Sequence, residues 1–316
     1  MKNTRFGKFL LGMLVVLLLS ACSLNSPSEG NESSSDDENN DASDETKVIG
    51  LSISTLNNPF FVTLRDGAEE KAKELGLDIT TVDAQDDPAK QVSDIEDLIQ
   101  QGVDILLVNP TDSAAIVAAI ESANNAGIPV VTIDRSADGG EVVSHIASDN
   151  AAGGKMAGEL IIEQLGGTGK VVELEGIAGS SAARERGSGF NEAIDAADGV
   201  EVVARQTANF DRAEGLTVME NIIQSTPDFQ AVFAHNDEMA LGALEAISAA
   251  GMTDVIVVGF DATDDAVAMV EEGKMFATVA QKPAEIGAKG VETAQKILNG
   301  ESVDEFIPVE LELVTK

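Results

Sequence analysis

Two α/β lobes with mostly parallel sheets are the fold class predicted by this sequence, on three observations. Short β-branched apolar runs alternate with amphipathic stretches of helical length throughout residues 47–316. Most of the runs are continuously apolar, as strands buried on both faces by crossover helices must be. The alternation lasts about 270 residues, enough for two domains of ordinary size.

Taken in order, β-branched runs place strands at residues 48–54, 78–83, 105–109, 130–134 and 143–148, then at 170–175, 200–205, 231–234, 255–260 and 277–280. After a turn, apolar residues at helical spacing place helices at 61–75, 88–101, 113–126, 151–165 and 182–194, then at 213–224, 238–249, 264–272 and 285–298. Strands alternating with helices of this length give two Rossmann-like (β/α) units with parallel-rich sheets.

Open parallel sheets bind ligands beyond the carboxyl ends of their strands. The residues found there are Ser54 with Asn58, Asn109, Asp134 with Arg135, Asn236 with Asp237, Asp261 and Gln281. Such polar groups, many able to make two hydrogen bonds, suit a neutral ligand covered in hydroxyls. Asp and Asn after a strand also cap helices, and Asp112 and Asp237 are read as caps. Arginine is scarce, and Arg135 and Arg186 stand near small or polar residues at strand-to-helix junctions, where a guanidinium fork donates to two adjacent sugar oxygens. There is no Trp or Tyr among the aromatics, so Phe60, Phe61 and Phe210 are the candidates to stack on the C–H faces of a sugar ring. Core packing is the other reading of Phe61.

The amino terminus predicts export. Lys2, Arg5 and Lys8 precede an apolar run, and Leu19-Ser20-Ala21-Cys22 closes it with small residues before the only cysteine. The run is short for a membrane span and has the layout of a signal peptide. Residues 23–46 are mostly Ser, Asn, Asp and Glu with scarcely an apolar side chain, eight carboxylates and no Lys or Arg, the composition of a disordered tether. One cysteine excludes an intramolecular disulfide and a cysteine-ligated metal centre.

The chain carries 55 acidic and 20 basic residues, for a net charge of -35. The tether accounts for eight of those carboxylates, so the body is acidic as well, which opposes association with nucleic acid and with anionic head groups. An excess of this size resembles halophilic composition, in which high salt screens the self-repulsion.

The catalytic repertoire is bare. His145 and His235 are the only histidines and have no HExxH spacing. The glycine-rich stretches 139–140 and 176–181 match neither phosphate-loop pattern, and no GxSxG elbow occurs. Asp134 and Asp261 serve better as acceptors for sugar hydroxyls than as an acid/base pair, so neither enzymatic activity nor a cofactor is expected.

The strand-end residues lie in the stretches STLNNPFF (54–61), NPTDS (109–113), VVSHIASDN (142–150), GIAGSSAARERG (176–187), NFDR (209–212), NDEMALGAL (236–244), VVGFD (257–261) and AQKPAEIGAKGVE (280–292), with the pair DR at 134–135. With these stretches carrying the match, the chain from residue 48 to 314 resembles the ribose-binding members of the periplasmic binding proteins that serve ABC importers. The resemblance implies a type I periplasmic-binding-protein fold with a three-stranded hinge, and a pocket lined by Ser54, Asn58, Phe60, Phe61, Asn109, Asp134, Arg135, Arg186, Phe210, Asn236, Asp261 and Gln281. It implies lobes of residues 47–148 with 282–310 and of 149–281 with 311–316, closing over D-ribose or a similar monosaccharide for delivery to a permease, with a chemotaxis or sensor receptor as a further partner. LSAC resembles the lipobox of bacterial lipoproteins, which implies cleavage after residue 21 and a lipid-modified Cys22. The sequence departs from the pattern at His235, where glutamine is common, and at Ala262, where glycine is common. Nothing in the sequence demands an oligomer, and a monomer is expected.

Overall fold

The computed structural model describes residues 46–316; the signal segment, Cys22 and nearly all of the tether lie outside the described residues. The body begins with the repeating unit read from the sequence. The apolar run β1 (Val48–Ile53) leads into α1 (Pro59–Leu75), which starts where Asn58 Oδ1 accepts the Phe60 N–H at 2.9 Å and stops at the left-handed Gly76. The same device sets α2 (Pro88–Gln101) between β2 (Asp78–Asp83) and β3 (Ile105–Val108): Asp87 caps its start, proline fills its first position and Gly102 ends it.

The chain continues through α3 (Val117–Asn125), β4 (Val130–Ile133), β5 (Ser144–Ser148), α4 (Asn150–Gln164), β6 (Gly169–Glu175), α5 (Ser181–Asp195) and β7 (Val200–Thr207). It then forms α6 (Arg212–Ser225), β8 (Ala231–Ala234), α7 (Asp237–Ala249), β9 (Ile256–Asp261), α8 (Asp264–Glu272) and β10 (Ala277–Ala280). The last elements are α9 (Pro283–Leu298), β11 (Phe306–Val309) and β12 (Glu312–Thr315).

The strands assemble into two six-stranded sheets, ordered β11-β5-β4-β3-β1-β2 and β12-β10-β9-β8-β6-β7. All pairs are parallel except β12 against β10. Each sheet and the helices covering it form a lobe. The chain passes from one sheet to the other three times: between β5 and α4, between β10 and α9, and between β11 and β12.

Both faces of each sheet are apolar. In the first lobe Ile49, Leu51 and Ile53 pack with Phe61, Leu64 and Ile286 on one side, while Leu106 and Val108 meet Ile95 and Ile120 on the other. In the second lobe Phe190 stacks on Phe233 at 4.7 Å beneath α4 and α5, and α6, α7 and α8 cover the opposite face. The α4–α5 contact is closer than side chains allow: a Cβ at Gly154 would strike the backbone carbonyl of Arg186, and one at Gly189 that of Ala151. Arg186 is thus fixed on its helix from behind.

Two departures from the sequence expectation have physical causes. β11 and β12 were not anticipated, because both are four residues long, lie at sheet edges and are partly exposed, and Pro308 interrupts the first. Residues 113–116 precede α3 as turns rather than opening the helix; Asp112 Oδ1 accepts the N–H groups of Ala114 and Ala115 at 2.9 and 2.8 Å, and the Ser113 hydroxyl is drawn to Ser136 O at 2.7 Å.

Candidate functional site

The carboxyl ends of the two sheets face a shared cavity. The first lobe contributes Asn58, Phe60 and Phe61 from the β1–α1 turn and Asp134 and Arg135 from the end of β4. The second contributes Ala182 and Arg186 from α5, Phe210 before α6, Asn236 at the cap of α7, Asp261 ending β9 and Gln281 after β10. Ten of the twelve residues singled out in the sequence are therefore brought together, and Ala182 is an eleventh liner that carried no signal in the sequence.

Ser54 and Asn109 stand behind the cavity wall. Asn109 is fully buried; its Oδ1 accepts the Ser54 N–H at 3.2 Å, and its Nδ2 lies 3.2 Å from both Ile133 O and Asp134 Oδ2. It acts on the Asp134 carboxylate. Behind it Gln91 Nε2 donates to Asn109 O at 2.8 Å and Gln91 Oε1 accepts the Thr111 N–H at 2.8 Å. Gln91 was missed, although its place on the buried stripe with Ile95 and Leu98 of α2 marked it as a polar group needing partners.

Backbone twists aim the site. Asp134, Phe210 and Asp261 have φ of 62°, 62° and 118°, and Asn209 and Ala262 beside them have 50° and 56°. Non-glycine residues rarely adopt this region, and five of the seven that do so among the described residues cluster around this cavity. Ala262 stands where glycine would hold the same turn with less strain.

Two arginines and two carboxylates set the electrostatics. The Arg135 guanidinium lies 5.0 Å from the Phe61 ring and 5.2 Å from the Phe210 ring, so one cation touches an aromatic of each lobe. Its Nε is 3.7 Å from Asp134 Oδ2. Arg186 donates Nε to Asn150 Oδ1 at 2.9 Å and Nη1 to His235 O at 2.6 Å, lies 3.8 Å over the Phe260 ring and comes within 3.6 Å of Asp261 Oδ1. Gln281 Nε2 donates to that same Asp261 oxygen at 2.9 Å. Burial pushes the Asp134 carboxyl up against the pull of Arg135 and Arg186, and pushes Asp261 up to about 7 against the pull of Arg186 and Gln281.

Three buried polar atoms of this lining make no hydrogen bond within the protein: Asp134 Oδ1, Arg135 Nε and Gln281 Oε1. Two accept and one donates, a set that sugar hydroxyls, each both donor and acceptor, can satisfy. Phe60 and Phe61 meet edge to face at 5.1 Å and line the cavity while also belonging to the core of the first lobe, so the core-packing reading of Phe61 holds.

A charged chain runs behind this wall, and the sequence did not reveal it. The fully buried Glu173 on β6 accepts from His235 Nε2 at 3.0 Å, from Arg205 Nε at 2.6 Å and from Asn191 Nδ2 at 3.3 Å. His235 Nδ1 in turn accepts the Gly176 N–H, and Gly176 lies against the Phe210 ring. A lone Glu within an apolar strand was the available clue. The reading of Asp237 as a cap is corrected: Asn236 Oδ1 caps α7 by accepting the Met239 N–H at 3.0 Å, and the Asp237 carboxylate turns into the protein.

The lobes also touch at one edge of the cleft. Ser113 N–H donates to Gly179 O at 2.9 Å, Ser136 N–H to Ser181 Oγ at 2.9 Å, and Arg184 Nη2 to Asp138 Oδ1 at 2.8 Å. The ion pair is 44% and 46% exposed, so Arg184→Ala is expected to weaken ligand affinity by less than about fivefold, measured by titration calorimetry; a larger loss would show that this edge dominates closure.

Comparison with known proteins agrees with this geometry. Residues 49–302 match the family described as periplasmic binding protein domain. The chain is 54% identical over 303 residues to the ribose import binding protein RbsB of Bacillus subtilis (strain 168), covering 96% of each, and 56% identical over 269 residues to that of Escherichia coli (strain K12), covering 85% of this chain and 90% of the relative. A solved ABC transporter solute-binding protein of Bacillus halodurans C-125 with bound myo-inositol superposes with a TM-score of 0.81 at 38% identity, over 85% of this chain and 94% of the other. One from Actinobacillus succinogenes 130z with bound D-allose gives 0.80 at 32% identity, over 86% and 98%.

Proposed function

This chain belongs to the periplasmic binding protein domain family, and from that premise we propose that it captures D-ribose between its lobes and delivers it to the permease of an ABC importer. The observation that carries the reading is the cavity itself. It is lined from both lobes and pairs phenylalanine rings with unsatisfied acceptors and a donor. In this reading Phe60, Phe61 and Phe210 hold the faces of the ring, and Asp134, Arg135, Arg186, Asn236, Asp261 and Gln281 bind its hydroxyls. Asn58 shapes the rim, while Asn109 orients Asp134 from behind.

Residues 47–148 with 282–310 form one moving lobe and 149–281 with 311–316 the other, hinged at 148–149, 281–283 and 310–312. Cys22 carries the lipid that ties the protein to a membrane outside the cytoplasm, at the cell membrane or in the periplasm, and the acidic tether gives it reach. Support for the anchor is the sequence alone; among the described residues no helix is long and apolar enough to cross a membrane. The acidic body works at high ionic strength, and the protein acts as a monomer that passes its sugar on without chemical change.

Ribose should raise the thermal midpoint strongly, because a ligand at a thousand times its Kd stabilises the bound form by about 4 kcal/mol; no shift with ribose at millimolar concentration would count against the reading. Relatives described with D-allose and myo-inositol favour a second reading, in which the same cavity takes another small polyol. A sugar-dependent pull-down from membranes separates a permease partner from a sensor or chemotaxis receptor.

A further inference from the structure

Asp237 opens α7 directly after the cavity residue Asn236, yet it lines no part of the cavity. Its carboxylate is fully buried, and every hydrogen bond it makes leads to the segment that follows Asp261. Oδ2 accepts the Thr263 N–H at 2.8 Å and the Thr263 hydroxyl at 3.3 Å. Oδ1 accepts the Thr278 hydroxyl at 2.7 Å, and the oxygen of that hydroxyl accepts the Ala262 N–H at 3.2 Å. Both backbone amides after Asp261 are therefore held by one carboxylate, one directly and one through Thr278. Gly259 on β9 leaves the space for this, since a Cβ there would collide with Asp237 Oδ1.

The segment held in this way is the strained one. Asp261 and Ala262 have φ of 118° and 56° with glycine at neither position, and such backbone persists only where its surroundings over-determine it. The twist points the Asp261 carboxylate to Gln281 and Arg186 at the cavity wall. Placing a second buried carboxylate so near Asp261 is unfavourable, because each raises the cost of ionising the other. Four hydrogen-bonding groups gathered on Asp237 and Thr278 are the return for that cost.

We propose that Asp237 is a positioning residue of the sugar site: together with Thr278 it holds the Asp261–Ala262 turn in its left-handed conformation and so aims the Asp261 carboxylate at the ligand. The inference rests on the sugar-binding reading for its effect on affinity, though not for its effect on the turn.

The test compares the protein with Asp237→Ala, Asp237→Asn and Thr278→Val, following amide hydrogen exchange without sugar and ribose affinity by titration calorimetry. In Asp237→Ala the Ala262 and Thr263 amides are expected to exchange at least about tenfold faster while core amides of β8 keep their rates, and ribose affinity should fall roughly tenfold to a hundredfold. Asp237→Asn, which keeps one acceptor, should recover part of both, and Thr278→Val should release Ala262 more than Thr263. Unchanged exchange at both amides, or faster exchange with ribose affinity within twofold of the parent, overturns the proposal. If Asp237→Ala does not fold, Thr278→Val decides by the same criteria. A parent protein that binds neither ribose nor another sugar overturns the sugar-binding reading instead, and exchange at the two amides then decides whether Asp237 holds the turn.

Discussion

Replacing Arg135 with alanine is expected to reduce ribose affinity by roughly 30-fold to several thousand-fold, the 2–5 kcal/mol typical of truncating a buried, hydrogen-bonded charge at an interface. The side chain is only 3% exposed, contacts Phe61 of one lobe and Phe210 of the other, and keeps an unsatisfied Nε at the cavity. Its removal takes away a donor to the ligand, the cation that both rings share, and the partner of Asp134. Lysine should not restore binding, because a point charge cannot reproduce a planar fork between two rings. Calorimetric titration checks this; an Arg135→Ala protein that is folded and binds ribose within threefold of the parent would remove Arg135 from the site.

The second large effect is on pH dependence. Burial pushes the Asp261 carboxyl up to about 7 in the folded protein, from the ordinary 3.8 that it has when solvated in the unfolded chain. Between those values the folded state keeps a proton that the unfolded state has released, so the stability tied to this group is fullest below about pH 4 and is lost as pH rises through 7. Asp261→Asn should escape that loss, and relative to the parent it should gain up to about 4 kcal/mol between pH 4 and pH 8 in the sugar-free protein. Easing the ionisation of Asp237, which Asp261 opposes, acts in the same direction. The comparison must be between variant and parent, because carboxylates such as Asp104 and Glu173 are shifted down and contribute with the opposite sign. Denaturant unfolding at fixed high salt measures it, and parallel pH profiles for the two proteins would show that Asp261 ionises normally.

How far the sequence could be read follows from where its signals are local. A buried parallel strand such as β3 is a run of apolar residues, and its helix begins at a cap or proline, so both show in a few neighbouring positions. Polar residues at the ends of such strands likewise announce themselves, as Asp134, Asn236 and Asp261 do. The edge strands β11 and β12 are short, half-exposed and interrupted by Pro308, and only pairing across the sheets defines them. Non-local partnership also decides the remaining cases. Asn109 resembles a pocket residue by position but is turned toward Ser54 and Asp134, Asp237 resembles a cap but reaches Thr263 and Thr278, and Glu173 meets Arg205 and His235 only once β6, β7 and β8 lie side by side.

Isothermal titration of the protein in molar salt against ribose, allose, xylose, galactose and glucose tests the central claim most directly. Tight one-to-one binding of ribose, at least tenfold weaker binding of the others, and loss of that heat in Arg135→Ala are the expected result. Absence of heat from every sugar, with the fold verified by circular dichroism, would contradict it.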